Sequence, residues 1–347
     1  MERVAIEPLP GLNDFLPRWR ALVAQEACGE RRSDWDCDED RWLREVVHRL
    51  EGADGLAKLA RSTRRADDLR AWCQSLVEDG DWKAALPAFD EGAEFVSDEE
   101  YARGEFLDGA ALAAQELGLS DFPARLERAW RAVPSMLRLR RWLGSAGNKT
   151  AVRKVAFEAL DACPDQAHRQ RAFLHVLLGD FKAAAKLLSA APGLGWSNGE
   201  HPGHLLFPLF EVLLGGRTAP TSWHGGWPAH LGLDIEELEL MTAEEDEPRL
   251  AALDVDQILT QAGIDDIPDV AARGAVLAAM RKAAERRLAG VTGQKRRHHY
   301  GHVAALVAAC VACDGSTEAA RWLASIRTEY RRFPALRAEF DRALGAS

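Results

Sequence analysis

The feature that most constrains this chain is a short joint between two helical segments that recurs along it. Three segments share the joint: SLVEDGDWKAAL around Gly80, HVLLGDFKAAAKLL around Gly179 and ACVACDGSTEAARWL around Gly315. In each one an apolar segment ends at glycine, which readily adopts the left-handed conformation that closes a helix. An Asp or Ser follows and can cap the next helix by accepting hydrogen bonds from its free N–H groups. The joint therefore predicts pairs of antiparallel helices.

Paired alanines follow each joint and would let the two helices approach closely. These pairs are Ala84 and Ala85, Ala183 and Ala184, and Ala319 and Ala320. A looser fourth copy, ELGLSDFPARLERAW, has Gly118 at its turn and Ser120 or Asp121 as its capping residue. Gly80 and Gly118 are about 38 residues apart, and Gly118 and Gly179 about 61, close to two units of roughly 30 to 35. This spacing favours a repeat array over a non-repetitive bundle that reuses one joint.

The hydrophobic pattern has the period of a helix along most of the chain. One stripe consists of Leu43, Val46, Val47 and Leu50, another of Leu107, Ala111, Ala114 and Leu117, and a third of Phe122, Leu126 and Trp130. No run with a period of two is bounded by hairpin turns, and the alternating piece Leu233–Leu240 fits a helix about as well as a strand. We therefore predict an all-α fold, specifically an α-solenoid of antiparallel helix-turn-helix repeats with an irregular central insertion.

The joints resemble those of the tetratricopeptide-type family of helical hairpins, over about half of the chain. Proline follows three of the second helices, at Pro134, Pro192 and Pro334. This resemblance implies a fold of stacked hairpins, as in a helical-repeat protein. It implies nothing about individual functional residues, because the motif is degenerate.

Four segments resemble the helical region of bacterial proteins that carry a SWIM-type zinc finger: FLPRWRALV, DEDRWLREVVHRLEG, HPGHLLFPLFEVLLGG and EYRRFPALRAEFDRAL. That finger needs a Cys-x-Cys pair followed by Cys-x-His, and the full pattern does not occur in this chain. The resemblance thus implies a helical part without the zinc module, and no functional residue carries over.

The regular pattern fails between about Gly193 and Asp269. PGLGWSNGEHPGH and GGRTAPTSWHGGWPAH are rich in Gly, Pro, Trp and His, and MTAEEDEP is an acidic turn or linker. We therefore expect an N-terminal repeat domain at 1–192, an irregular, loop-rich segment with a short helix at 193–269, and C-terminal helical hairpins at 270–347. Because loops of more than about 12 residues are usually functional or disordered, the irregular segment is the first place to expect a site.

Net charge and apolar content limit the partners and the cellular location that we expect for the protein. The net charge is −10, which disfavours nucleic acid as a partner, since such proteins present basic surfaces. No segment approaches the roughly 20 apolar residues that span a bilayer, and the N-terminus lacks the pattern of a secretory signal. The six scattered cysteines do not suggest a disulfide framework. We expect a cytoplasmic protein without membrane contact.

Histidines concentrate in two places and suggest a site. His201, His204, His224 and His230 lie in the irregular segment, and His298, His299 and His302 follow a basic stretch. With Cys310 and Cys313 they could supply zinc or another transition metal, which takes about four nitrogen or sulfur ligands. However, the Cys310-x2-Cys313 pair has no matching second pair, and cysteines in an Ala/Val-rich helix usually serve as small buried apolar residues. Satisfied or surface histidines, with no cofactor, are the favoured interpretation.

The loop tryptophans and a basic segment each allow two interpretations. Trp196, Trp223 and Trp227 lie in Gly-rich loops, where they either anchor a partner or cover the core. A basic segment near Tyr300 is typical of a phosphate or RNA site, or of a solvated helix face. Its members are Lys282, Arg286, Arg287, Lys295, Arg296 and Arg297.

Common catalytic motifs are missing from the sequence, so the leading hypothesis is a non-catalytic scaffold or adaptor that binds another protein. The candidate partner-binding residues are Trp196, His201, His204, Trp223, His224, Trp227, His299 and His302. The alternative is a metal-dependent or small-molecule-binding enzyme that uses the central His/Trp loops and the His298–His302 segment. RNA binding through the C-terminal basic helices ranks last.

Overall fold

The fold is described by a computed structural model over residues 11–27, 37–97, 100–215 and 249–345. Sixteen α-helices and no strands occur in these ranges, which confirms the all-α prediction. None of the helices described is long and apolar enough to cross a membrane. The chain divides into two compact units, Met1–Val133 and Pro134–Ser347.

The described part of the first unit contains six helices that share an apolar core. They are α1 (Leu12–Ala27), α2 (Asp38–Thr63), α3 (Ala66–Glu78), α4 (Trp82–Phe95), α5 (Glu100–Glu116) and α6 (Phe122–Ala132). Each helix packs against the next along the chain. Leu43, Val46 and Val47 of the predicted stripe are buried in this core, whereas Leu50 is exposed at its edge.

The second unit contains the other ten helices. They are α7 (Met136–Gly144), α8 (Lys149–Ala162), α9 (His168–Leu177), α10 (Phe181–Ala190), α11 (Gly203–Leu213), α12 (Val255–Ala262), α13 (Val270–Gly293), α14 (Tyr300–Cys313), α15 (Thr317–Glu329) and α16 (Pro334–Gly345). The long helix α13 packs against α10, α11 and α14. The boundaries that the sequence suggested at 192/193 and 269/270 both fall inside this unit, because α10 and α13 bury apolar faces against each other across them.

The joints of the hairpins are formed as predicted at two of the four glycines. Gly80 and Gly179 have positive φ angles of 69° and 79°. Oδ1 of Asp81 accepts a hydrogen bond from the N–H of Ala84 at 3.1 Å, and Oδ1 of Asp180 accepts one from Ala183 at 3.0 Å. These contacts stop one helix and start the next within two residues.

The other two joints depart from the prediction. Gly315 does not adopt a positive φ; α14 instead ends before Asp314, whose backbone is extended, and Ser316 still caps α15 through the N–H of Ala319 at 3.3 Å. Gly118 has a φ of 63°, but neither candidate residue caps α6, since Asp121 at the N-cap position makes no capping hydrogen bond. Asp121 binds Arg125 instead, at 2.9 Å. Sequence spacing alone does not reveal this competition for the carboxylate.

The cap at Asp81 provides a test of the joint. We expect Asp81→Ala to lower the free energy of unfolding by about 1 kcal/mol, because an N–H group of α4 loses its acceptor. Asp79→Ala, on the exposed side of the same turn, is the matched control and should change it by less than about 0.5 kcal/mol. Urea denaturation followed by circular dichroism measures both; equal effects of the two substitutions would show that the cap does not stabilise the joint.

Candidate functional site

The segment between α10 and α11 folds back tightly onto α13. A Cβ atom added to Gly193 would lie 2.1 Å from the backbone carbonyl oxygen of Arg286, so no larger residue fits there without a backbone shift. Two neighbouring arginines of α13 bind the segment: Nη1 of Arg286 donates to the carbonyl of Ala191 at 3.2 Å, and Nη1 of Arg287 donates to that of Gly193 at 3.3 Å. The segment is thereby fixed against the helix.

Successive turns satisfy the backbone of this segment. The N–H of Gly195 donates to the carbonyl of Pro192 at 3.1 Å, and that of Asn198 donates to the carbonyl of Gly195 at 2.9 Å, closing a 3-10 turn at Gly195–Ser197. The N–H of His201 then donates to the carbonyl of Asn198 at 3.0 Å. The described part of the irregular segment is therefore compactly turned rather than a long open loop.

Trp196 lies at the centre of an aromatic cluster with three of the predicted histidines. Its side chain is only 3% exposed. The ring of His201 stacks on it with centroids 4.2 Å apart, and the rings of His302 and His204 meet it edge-on at 4.8 Å and 5.5 Å. We call these four residues the Trp196 cluster. Trp196 lies in the 3-10 turn, His201 in the connection that follows it, and His204 and His302 in the first turns of α11 and α14.

A glycine allows the indole to reach this position. A Cβ added to Gly203, the first residue of α11, would lie 2.3 Å from Cη2 of Trp196. The indole therefore rests directly on the start of the helix. Burial of Trp196 favours the interpretation in which it covers the core over the one in which it anchors a partner.

Of the other predicted site residues, the structure describes one, His299, and it lies outside the cluster. His299 lies on a separate 3-10 turn, Arg297–His299, and its ring contacts that of His298 at 4.0 Å. Trp223, His224 and Trp227 lie outside the described residues. The structure thus brings together four of the eight candidates.

The histidines of the Trp196 cluster are neutral at neutral pH. Burial, followed by the neighbouring His204, lowers the pKa of His201 to about 4, and burial, followed by Arg169, lowers that of His204 to about 4. Burial lowers the pKa of His302 well below its usual value. The contacts of His201 fit one neutral tautomer: Nδ1 accepts from the N–H of Gly203 at 3.1 Å, which leaves the proton on Nε2, 3.3 Å from the carbonyl of Pro192.

Metal ligation is not assembled in the part of the chain that the structure describes. There, no group of three or more His, Cys, Asp or Glu side chains has a geometry that could hold a metal ion. The imidazoles of the Trp196 cluster pack against the indole. Cys310 lies buried in α14, and burial raises the pKa of its thiol well above the usual value.

A cavity of about 290 Å³ borders the Trp196 cluster on the side of His201. Its polar wall includes His168, Asn198 and Glu200. The carboxylate of Glu200 accepts hydrogen bonds from Nε2 of Gln170 at 3.4 Å and from the N–H of Arg169 at 3.3 Å, so α9 holds its position. This volume is near the lower limit for small-molecule sites, about 300 Å³.

Arg287 is the residue of this region that the sequence interpretation misjudged. The basic segment suggests a phosphate or RNA site or a solvated helix face, yet the side chain of Arg287 is only 4% exposed, while Arg286, Lys295 and Arg296 beside it are exposed. Its position could have been found from the helical period, because Val276, Met280 and Arg287 share the buried face of α13.

The close approach at Gly193 leads to a mutational prediction. Gly193→Ala should destabilise the protein by about 1 to 3 kcal/mol, because the added methyl group meets backbone that cannot yield. Gly199→Ala is the control, since a Cβ at Gly199 meets nothing within 4 Å. Thermal denaturation of the two variants measures the difference; equal stability would contradict the close contact with α13.

The neutral histidines lead to a prediction about pH. Between pH 6.5 and about 4 the unfolded chain binds protons at His201 and His204 that the folded chain does not, so the free energy of unfolding falls as pH falls. Each histidine contributes a slope of about 1.4 kcal/mol per pH unit in this window. We expect His201→Gln to reduce the slope, because one of the two histidines with lowered pKa values is removed. Urea denaturation at several pH values tests this, and an unaltered slope in His201→Gln would contradict it.

Comparison with known proteins gives no relative from which a role could be taken. No family model, curated protein sequence or solved structure matches the chain. The fold and the Trp196 cluster therefore stand on their own residues, and function has to be argued from the surfaces and charges that these residues create.

Proposed function

We propose that this protein is a cytoplasmic, non-catalytic scaffold that binds another protein, with hairpins stacked as in tetratricopeptide-type repeats. The recurring joints at Gly80 and Gly179 support this proposal, because the same turn and cap join two consecutive helices in both compact units. Hairpin repeats of this kind generally act through their surfaces rather than through a catalytic centre.

The observation that carries the proposal is an exposed aromatic strip on the first unit. The strip consists of Phe15, Trp19 and Leu22 of α1 and Trp42 of α2. Phe15 is 47% exposed, Leu22 52% and Trp42 37%. Ring centroids of Phe15 and Trp19 are 5.8 Å apart, and those of Trp19 and Trp42 are 5.9 Å apart, so the half-buried Trp19, which packs against the core, joins the two exposed rings.

The chemistry of the strip suits a protein partner. Contiguous exposed apolar surface rimmed by polar residues marks interaction sites in soluble proteins. Tryptophan dominates the energetically important centres of such interfaces. The contact between Trp19 and Trp42 fixes their side chains before binding, so little side-chain entropy is lost on association. An apolar segment of another protein is the occupant that these features fit.

The Trp196 cluster contributes differently to this function. Trp196 and His201 are nearly inaccessible, so they stabilise the second unit instead of offering surface. The strip on α1 and α2 therefore replaces the irregular segment as the proposed contact region.

Site-specific photo-crosslinking in the producing cells tests the proposal. A benzoylphenylalanine at position 15 should yield a discrete adduct with a different protein, and the same residue at Ala21, exposed on the same helix, should not. Once the crosslinked partner is identified, Trp42→Ala should weaken its binding to this chain by about 2 kcal/mol or more, as expected for the centre of an interface.

Three kinds of result would contradict or change the proposal. Absence of an adduct from position 15, or equal adducts from positions 15 and 21, would contradict a specific contact through the strip. An adduct made only of two copies of this chain would replace the proposed partner by self-association. Unchanged affinity of Trp42→Ala would exclude the strip as the centre of the interface.

A further inference from the structure

The cavity beside His201 opens to solvent and has a buried floor. Its volume of about 290 Å³ is enough for a molecule the size of one substituted aromatic ring. His168, Ala190 and Asn198 line the cavity and are exposed, whereas His201 and Pro202 line it and are buried. A small molecule can therefore enter past the exposed residues and lose contact with water at the floor.

Most of the cavity wall is apolar. Leu187, Ala190 and Ala191 come from the end of α10, and Pro192 and Pro202 come from the two ends of the connection between α10 and α11. Transfer of an apolar surface from water to such a wall is favourable. The wall therefore suits a ligand with an apolar body.

The carboxylate of Glu200 offers a directed polar contact in this wall. Its Oε2 accepts a hydrogen bond from the N–H of Arg169 at 3.3 Å, and its Oε1 accepts one from Nε2 of Gln170 at 3.4 Å. These contacts fix the carboxylate at the start of α9, and each of its oxygens can accept more than one hydrogen bond. A ligand hydroxyl can thus donate to Glu200 in a charge-assisted hydrogen bond, which is roughly twice as strong as a neutral one.

The charges around the cavity disfavour a charged ligand. Nη1 of Arg286 donates to the carbonyl of Ala191, a wall residue, at 3.2 Å, and Nη1 of Arg169 donates to the carbonyl of Gly199 at 3.5 Å. These two guanidinium groups lie beside the wall and repel a cation, and the carboxylate of Glu200 repels an anion. An uncharged ligand avoids both penalties.

We propose that this cavity binds a small, uncharged molecule with an apolar body and a hydroxyl group, and that phenols are the ligand class. The ring packs on Leu187 and Pro202, and the hydroxyl donates to the carboxylate of Glu200. A phenol suits the site better than an aliphatic alcohol, because its O–H group is more acidic and its rigid ring loses little conformational entropy on binding. The site uses none of the residues of the aromatic strip, so it adds ligand binding to the proposed binding of a protein.

Nuclear magnetic resonance of the full wild-type chain, with phenol as the probe, tests the site without any variant. The backbone amide resonances of Gly195 and Glu200 should shift and saturate at millimolar phenol, and that of Gly118, in the first unit, should not shift. Absence of a saturable shift at Gly195 and Glu200, or an equal shift at Gly118, would overturn the proposal.

Matched ligands test the hydroxyl and the charge. Anisole has the same ring without an O–H group, so it should bind about tenfold more weakly than phenol. Benzoate and benzylammonium should bind no better than anisole. Equal affinities for phenol and anisole would exclude the hydrogen bond to Glu200. Tighter binding of benzoate or benzylammonium than of phenol would overturn the choice of an uncharged ligand.

Two variants test the residues of the wall. Glu200→Gln removes the charge, so the affinity for phenol should fall about tenfold, whereas an unchanged affinity for anisole should show that the cavity keeps its shape. Ala190→Leu fills part of the cavity and should abolish binding of both. Ser189→Leu makes a similar addition on the same helix at a residue that does not line the cavity, and should bind like the wild type. Wild-type affinity for phenol in Glu200→Gln or in Ala190→Leu would contradict the proposal.

Discussion

The contact on which the second unit depends is the close approach of Gly193 to the backbone of α13. A carbonyl of that helix occupies the space where a side chain at Gly193 would lie. Because this approach fixes the chain at the end of α10, the next turn places Trp196 over the start of α11. His201, His204 and His302 then pack around the indole. The close approach at Gly193 thus helps to place Trp196, on which the three histidines pack.

The same contact has an electrostatic consequence. Holding the segment requires Arg287 at the buried face of α13, where its guanidinium donates to the carbonyl of Gly193. A guanidinium remains charged in a protein, whereas an imidazole can respond to burial by staying neutral. The histidines of the cluster stay neutral in this way, because burial lowers their pKa values. The arginine cannot, so its charge stays buried beside the segment that it holds.

Local features of the sequence predicted the helical character and two hairpin joints well. The joints at Gly80 and Gly179 follow from one glycine and one aspartate, so short-range physics determines them. At Asp121 an ion pair with Arg125 competes with capping, and the backbone at Asp314 ends α14 before Gly315. These outcomes depend on neighbours and conformations that a spacing pattern does not contain.

The candidate site was only partly predictable for a similar reason. Enrichment in Trp and His drew attention to the segment of Trp196, where His201 and His204 meet the indole, and His302 reaches it from α14. The burial of Trp196 and Arg287, however, arises from contacts between segments about 90 residues apart in sequence, such as Gly193 with Arg286. The exposed strip of Phe15 and Trp42 was missed because apolar residues on a helical stripe are normally expected to face the core.

Amide hydrogen exchange across residues 191–206, measured on the full chain, tests the central claim most directly. If the segment is fixed against α13 as described, the hydrogen-bonded amides of Gly195, Asn198 and His201 exchange as slowly as those in the middle of α10. Exchange of these amides at the rate of an open loop, with α10 remaining protected, would contradict the account.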